Sequence, residues 1–167
     1  MKMIRSLLAG AVILGAGAVA VAQADAPVTV DIKRLSLEMA NRIALATIEA
    51  CRAEGVNVAV TVVDRGGHPQ VVMRDTLAMD LTLEISRQKA YTAMSFNAPL
   101  SQMEDRFTRP FSVGKVQGIV FSAGGLPIHA AGSIVGGVGV SGAPSGELDE
   151  KCAAAGLEAV QIDLDMG

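Results

Sequence analysis

Hydrophobic and small residues recur every three or four positions along residues 36–54, which predicts an amphipathic helix. Ser36 stands where the cap of this helix is expected. Gly55 follows the last periodic position, where a left-handed residue commonly ends a helix. The stripe that faces inward consists of Ala40, Ile43, Ala44, Thr47 and Cys51. The first predicted element is therefore a helix with one core-facing side.

The pattern then changes to the β-branched type that is typical of strands. Residues 56–63 and 71–73 are rich in valine, and the sequence Arg-Gly-Gly-His-Pro between them predicts a hairpin turn. Residues 80–94 return to helical spacing. Residues 97–114 mix prolines, charges and phenylalanines, which predicts a short helix and a loop.

Three short apolar segments follow, at residues 118–123, 126–131 and 133–140. They are too closely spaced for helical crossovers, so we expect them to pair antiparallel as a meander. Ser145 is the expected cap of a last helix, whose first turn is acidic. The order of elements predicts an α/β protein of the α+β type: a five-stranded antiparallel sheet with helices packed on it.

The first 24 residues have the pattern of a secretory signal peptide. Lys2 and Arg5 precede an almost unbroken apolar run, and small residues suit a cleavage after Ala22 or Ala24. An uncleaved membrane anchor is the alternative, but the run is shorter than the roughly 20 residues that span a bilayer. We therefore expect a signal peptide at residues 1–24, no stable membrane anchor after cleavage, and a periplasmic or secreted protein.

The expected mature chain, residues 25–167, is a single acidic domain. Loss of Lys2 and Arg5 leaves 12 of the 14 Lys and Arg residues against 17 Asp and Glu, a net charge of −5. The whole sequence has four Phe, one Tyr and no Trp. Nucleic-acid binding is typical of basic surfaces with stacking aromatic side chains. We therefore expect no nucleic-acid partner.

Three glycines, Gly137, Gly139 and Gly142, have the G-x-G-x-x-G spacing of a dinucleotide-binding loop. That loop must open a helix within a β-α-β unit, but Pro144 interrupts the approach to the helix and too few residues follow for the second strand. The spacing therefore does not indicate a nucleotide site. Two alternatives remain for glycines in a strand: close packing of a helix on the sheet, or a flat ligand lying against the backbone.

Lys89 lies on a helical stripe whose other members are apolar or small. A buried ammonium needs an anion or loses its proton, although a lysine on such a stripe commonly extends its amine into water. Arg74, at the end of the predicted hairpin, supplies a second cation. Together these two side chains would suit an anionic ligand, such as a small acid or the propionates of a tetrapyrrole.

The sequence contains two histidines, His68 in the predicted turn and His129 in a predicted strand. Two isolated histidines form neither a zinc site nor a catalytic triad. Either could ligate a haem iron singly, as could Met73, Met94 or Met103. For each residue alone, an ordinary structural role is the competing interpretation.

Both cysteines, Cys51 and Cys152, lie on the apolar stripes of predicted helices. They could be two small buried residues, or they could form a disulfide if the first and last helices pack side by side. The expected location outside the cytoplasm permits a disulfide.

Three blocks of the sequence resemble the GlcG/HbpS-like haem-binding family, also known as the haem-degrading domain. The blocks read VTVVDRGGHPQVVMRD, SRQKAYTA and GGLPIHAAGSIVGGVGVSGAPSGELDE, and the resemblance covers about residues 33–160. The same domain forms the C-terminal part of PduO-type proteins. The resemblance implies an α-β-α layered, profilin-like fold, assembly into a homo-oligomer such as an octamer, and a haem or other ligand near the subunit contacts.

The resemblance also gives Lys89 a functional interpretation, because Lys89-Ala90 looks like a signature of the family. It implies non-covalent binding of haem or a related tetrapyrrole, with the propionates neutralised by Arg74 and Lys89. The further candidates comprise the apolar walls Met94, Phe96, Met103 and Phe107, the iron ligands His129, His68 and Thr92, and the backbone of Gly124 and Gly125.

Two rival functions remain open. In the first, the chain is an enzyme, or an accessory to a catabolic oxidoreductase, that acts on a small carboxylate or oxygenated metabolite with Lys89 as acid or base. In the second, it is an assembly module without a ligand, and no pocket with converging polar groups is expected.

Overall fold

The computed structural model describes residues 26–167, and the predicted signal peptide lies outside the described residues. The chain divides into a short unit, Met1–Asp31, and a large unit, Ile32–Gly167. All helices and strands of the described region belong to the large unit. No helix within residues 26–167 is long and apolar enough to cross a membrane.

Ten short elements follow one another along the large unit. The helices and strands are α1 Leu37–Ala53, β1 Ala59–Asp64, β2 Pro69–Arg74, α2 Leu81–Phe96, β3 Gly125–Ala130, β4 Ser133–Ser141, α3 Gly146–Glu158 and α4 Gln161–Met166. Two 3-10 turns, Leu100–Gln102 and Val113–Lys115, interrupt the long connection between α2 and β3. The three longer predicted helices are confirmed, whereas α4 was not predicted.

The strands form one antiparallel sheet in the order β2-β1-β4-β3. The sheet has four strands in the described region, so the predicted fifth strand at residues 118–123 is wrong. Side chains hold the backbone N–H groups that this strand would have used. Val120 donates to Oγ1 of Thr92 (3.1 Å), and Ala123 donates to Oε1 of Glu104 (2.7 Å). This segment is therefore a loop, although its composition is that of a strand.

Alternate positions of β1 face opposite layers. Val60 and Val62 are fully buried in the main core with side chains of α1 and α3. Thr61 points the other way, where its hydroxyl lies 2.9 Å from the hydroxyl of Ser86 on α2. One face of the sheet is therefore covered by α1 and α3, and the other by α2.

Local sequence signals fix the ends of the helices. The Ser36 hydroxyl accepts the backbone N–H of Met39 (3.2 Å) at the start of α1. The Ser145 hydroxyl does the same for Leu148 (3.3 Å) at the start of α3. Helix α2 ends at Asn97, which adopts the left-handed conformation with φ of 51°.

The two cysteines join α1 to α3. Their sulfur atoms lie 2.15 Å apart and their Cα atoms 5.4 Å apart, so Cys51 and Cys152 form a disulfide in this structure. The bond lies inside the main core, where both residues are buried.

Candidate functional site

The predicted site residues do not form one cluster in the structure. Some lie at the C-terminal end of α2, on the side of the sheet that α2 covers. Others lie beneath the loop that leads into β3 and are buried among polar partners. The two groups offer different chemistry.

An exposed imidazole stands at the C-terminal end of α2. Nε2 of His129, on β3, lies 2.8 Å from Oδ1 of Asn97, the residue that ends α2. A carbonyl oxygen only accepts hydrogen bonds, so Nε2 is the donor in this contact, and in the neutral imidazole with this tautomer Nδ1 keeps its lone pair. A histidine whose N–H is held by a carbonyl oxygen is the usual arrangement of a metal-ligating imidazole. Asn97 was not among the predicted site residues.

Three phenylalanines pack together beside this helix end. The ring centroid of Phe107 lies 5.6 Å from that of Phe96 and 4.5 Å from that of Phe121. Phe96 and Phe121 are 5.2 Å apart, and all three side chains are half-buried. Phe96 directly precedes Asn97, so the cluster begins one residue from the hydrogen bond to His129. We call the four residues Phe96, Phe107, Phe121 and His129 the α2-end surface.

The structure differs from the sequence-based interpretation of this surface at Met103 and Phe121. Met103 is fully buried behind the aromatic cluster with Ala93 and Leu100, so it supports the wall and does not form its exposed face. Phe121 was missed because residues 118–123 were interpreted as a strand. The aromatic residue itself was the available signal, since it is one of only four phenylalanines in the sequence.

Lys89 is buried and paired with a carboxylate. Its Nζ lies 2.8 Å from Oδ2 of Asp149, and each side chain is about 5% exposed or less. Burial raises the pKa of Asp149 above its ordinary value, while Lys89 and the backbone N–H of Ala143 oppose that rise. The ammonium of Lys89 is therefore already matched with an anion of the same chain.

The glycine beside Lys89 makes room for this ion pair. Gly124 has φ of +116°, and a Cβ atom there would lie 2.6 Å from Nζ of Lys89. Its backbone N–H donates to Oε2 of Glu150 (3.0 Å). At Gly125, a Cβ would lie 2.7 Å from the carbonyl oxygen of Lys89. These two glycines therefore allow the start of β3 to lie directly against the buried Lys89–Asp149 pair.

The remaining candidates are separated from Lys89 or already have partners. Arg74 is exposed, and its guanidinium donates to the carbonyl oxygen of Ala78. Thr92 is fully buried, and its Oγ1 donates to Gln88 (2.7 Å) and accepts from Val120. Because Thr92 is fully buried and its hydroxyl already donates one hydrogen bond and accepts another, it does not reach a ligand at the surface.

His68 and Met94 lie near the turn between β1 and β2. The His68 side chain is 78% exposed, with Nδ1 3.4 Å from Oδ1 of Asp64. A Cβ atom at Gly67 would lie 2.6 Å from the ring of Tyr91 and 3.1 Å from Cε of Met94. This turn therefore packs closely on α2, and His68 projects from it into solvent.

The glycines of β4 serve helix packing. A Cβ atom at Gly139 would lie 2.2 Å from the carbonyl oxygen of Ser86, and one at Gly137 would lie 2.5 Å from that of Ala90. Both oxygens belong to α2. Of the two alternatives for these glycines, close approach of helix to sheet is thus the one that the structure confirms.

Clustered metal ligands are absent from the described part of the chain: within residues 26–167, no three His, Cys, Asp or Glu side chains meet in a metal-binding arrangement. A single imidazole can instead ligate an iron that another ligand frame already holds.

Comparison with known proteins gives a family match over most of the described region. Residues 35–158 match the family model described as haem degrading protein HbpS-like. The crystal structure of HbpS is 39% identical in sequence and superposes with a TM-score of 0.76, covering 82% of this chain and 97% of HbpS.

Two further crystal structures have the same fold. Klebsiella pneumoniae protein ORFY is 27% identical with a TM-score of 0.75, covering 81% of this chain and 97% of ORFY. The complex of PduOC with haem is 27% identical with a TM-score of 0.68, covering 76% of this chain and 95% of PduOC.

Proposed function

The chain belongs to the HbpS-like haem-degrading family, and we propose that it binds haem non-covalently at the α2-end surface. The observation that carries this proposal is the family match over residues 35–158, together with a similar structure solved as a haem complex. The aromatic cluster and the hydrogen bond between His129 and Asn97 support the proposed location.

The residues of the α2-end surface fit a haem. A flat, apolar macrocycle needs an aromatic or aliphatic wall, and Phe96, Phe107 and Phe121 provide one that is half-buried. The iron would need a donor atom from the protein, and Nδ1 of a neutral His129 would supply it while Nε2 donates to Asn97. Phe96 is the last residue of α2 and Asn97 ends the helix, so the wall and the hydrogen bond to His129 both begin at this helix end.

When bound, the haem would supply an iron centre capable of ligand exchange and redox chemistry. The protein's own contribution is to orient His129 through Asn97 and to exclude water with the aromatic cluster. Lys89 has a different position from the one that propionate binding requires, because it is buried and bonded to Asp149. Of Arg74 and Lys89, only Arg74 has an exposed side chain.

A hemin titration of the purified protein tests this proposal. We expect a saturable, shifted Soret band at about one haem per subunit or per dimer, as an axial histidine ligand produces. Serum albumin serves as the control for nonspecific hemin binding. A response that never saturates, or that matches albumin, would overturn haem as the ligand.

We also propose that the protein acts outside the cytoplasm as a homo-oligomer. The predicted signal peptide supports export, and exposed apolar side chains support self-association: Val72, Leu77, Met79 and Leu81 are each about half exposed or more. N-terminal sequencing of the protein from a periplasmic or culture fraction should begin at Gln23 or Asp25.

Light scattering tests the homo-oligomer and should give a multiple of the monomer mass. A monomer mass would contradict the proposed oligomer.

The enzyme hypothesis has weaker geometric support. An acid or base at Lys89 would have to reach a substrate, but its ammonium is bonded to Asp149 and lies under Gly124. No observed feature favours this function over haem binding.

A further inference from the structure

Two of the three rings of the α2-end surface belong to an irregular stretch of the chain. Phe96 is the last residue of α2, whereas Phe107 and Phe121 lie in the connection between α2 and β3, whose helical structure is limited to the two 3-10 turns. The hydrogen bonds of a helix fix the backbone at Phe96, but they do not extend to the other two positions. The placement of Phe107 and Phe121 therefore depends on other contacts.

Side chains hold the backbone on both sides of Phe121. Before it, the N–H of Val120 donates to Oγ1 of Thr92 on α2 (3.1 Å). After it, the N–H of Ala123 donates to Oε1 of Glu104 (2.7 Å). Val120 is adjacent to Phe121 and Ala123 is two residues later, so the two hydrogen bonds enclose the residue whose ring completes the aromatic wall.

Phe107 moves with Phe121 because the same backbone packs against both. The hydroxyl of Ser112 donates to the carbonyl oxygen of Phe107 (2.6 Å). A Cβ atom at Gly114 would lie 3.1 Å from that oxygen and 3.3 Å from Cδ2 of Phe121. With their ring centroids 4.5 Å apart, the two phenylalanines form one packed unit. A shift of Phe121 therefore disturbs two thirds of the wall.

Glu104 is well suited to fix this unit without being part of the core. Ala123 is fully buried, and leaving a buried N–H without an acceptor costs more than the net gain from making the bond. The side chain of Glu104 is exposed, and the preceding Met103 is buried with Ala93 and Leu100. The core thus places Glu104 beside the connection, while its carboxylate remains at the surface.

We propose that Glu104 is a positioning residue of the haem site, which fixes Phe121 through the backbone of Ala123. This inference rests on the proposed haem function. The role requires an acceptor oxygen and not a negative charge, because the group that it binds is a neutral N–H. Without the hydrogen bond, a smaller fraction of the molecules has the complete wall, and the apparent affinity for haem falls with that fraction.

Hemin titrations of the wild type, Glu104→Ala and Glu104→Gln separate the hydrogen bond from the charge. Glu104→Ala should weaken hemin binding about tenfold, the effect of losing one charge-assisted hydrogen bond. Glu104→Gln keeps an acceptor oxygen and should restore most of the affinity. The Soret maximum at saturation should be the same in all three proteins, because His129 is unaltered. Equal weakening in the two variants would overturn the role of the hydrogen bond.

Asp105→Ala is the matched control. Asp105 follows Glu104 directly and is also exposed, so this variant removes one negative charge from the same place. It should bind hemin as the wild type does, and thermal melting verifies that each variant is folded. Weakening equal to that of Glu104→Ala would show that the charge matters instead of the bond to Ala123, and would overturn the inference.

Amide hydrogen exchange tests the same inference in the absence of haem. Peptides that contain residues 118–124 should exchange faster in Glu104→Ala than in the wild type and in Glu104→Gln, while peptides of α1 should be unchanged. Equal exchange of residues 118–124 in all three proteins would overturn the inference.

The titrations also separate this inference from the proposed function. Failure of the wild type to bind hemin would overturn the haem function, and with it the role of Glu104 in haem binding. Equal hemin binding by the wild type and Glu104→Ala would overturn the positioning role alone.

Discussion

At the scale of single residues, a charged side chain that is buried with a partner is not available to bind a ligand. The apolar stripe around Lys89 marked it as unusual, and the structure shows the reason: an ion pair with Asp149 inside the protein. The sequence could identify Lys89 but not Asp149, because the partner is 60 residues away and looks like an ordinary acidic residue of a helix start. Likewise, Asn97 became visible only through its bond to His129.

Removal of Asp149 should strongly destabilise the protein. Asp149→Asn leaves the buried ammonium of Lys89 without its counter-charge, and breaking such a pair costs about 3–5 kcal/mol. Replacing both residues, with Lys89→Met and Asp149→Leu, should recover much of that loss. Urea unfolding measures the free energy of unfolding of the single and the double variant. Glu158→Gln, at an exposed position, is the control. A cost below about 1 kcal/mol for Asp149→Asn would show that the pair contributes little.

Asp75 should make the protein less stable in acid. Hydrogen bonds from Arg52 and from the backbone N–H of Thr76 lower the pKa of Asp75 from 3.8 to about 2. The folded state therefore prefers the charged form, and the stabilisation is present above about pH 4 and lost as the pH falls toward 2.

The measurement is the difference in urea midpoint between the wild-type protein and Asp75→Asn across this range. The difference should favour the wild type at pH 5 and shrink steadily toward pH 2. Arg52→Gln should weaken the same pH dependence, since it removes the largest cause of the lowered pKa and leaves only the hydrogen bond from the backbone N–H of Thr76. A constant difference across the range would contradict the linkage.

At the scale of elements, periodicity predicted the helices well and the sheet less well. Helices α1, α2 and α3 follow from spacing and caps that are local in sequence. The sheet depends on pairing between distant segments, and β4 lies between β1 and β3. Residues 118–123 have strand composition, but Thr92 and Glu104 bind their N–H groups. Composition alone cannot reveal such competing partners.

The contact between α2 and β4 should depend on glycine. Gly139→Ala places a methyl group 2.2 Å from the carbonyl oxygen of Ser86, so the helix must move away from the sheet. We expect a loss of stability of about 1–3 kcal/mol, the usual cost of overpacking. Gly118→Ala is the comparison, since its Cβ would meet no atom within 4 Å and only its positive φ opposes the change. Equal melting temperatures for the two variants would contradict close packing at Gly139.

The connection of α1 to α3 through the disulfide should stabilise the fold. The bond between Cys51 and Cys152 spans 101 residues, and a loop of that length gives about 4.7 kcal/mol in the chain-entropy model. Reduction should therefore lower the melting temperature of the wild-type protein and leave a Cys51→Ser, Cys152→Ser variant unchanged. Intact mass after alkylation without reductant should show no added groups. Two alkylated cysteines in the native protein would mean that the bond is absent.

At the scale of the whole molecule, α1 and α3 cover one face of the sheet and α2 covers the other. The fold class and the family followed from the sequence, because the blocks around Asp64, Lys89 and Gly139 are specific and occur in order. The site did not follow in the same way. Arg74 and Lys89 were expected to act together, yet one is exposed and the other is paired in the interior. A site built from separate elements requires their three-dimensional arrangement.

The most direct test of the account compares hemin titrations of the wild-type protein, His129→Ala and His68→Ala by their Soret absorbance. The two variants remove the two histidines of the sequence in turn, and each affects an exposed side chain. The wild type and His68→Ala should give the same saturable, shifted band, whereas His129→Ala should lose the shift because the axial nitrogen is gone. An unchanged band in His129→Ala would contradict the assignment of the α2-end surface as the haem site.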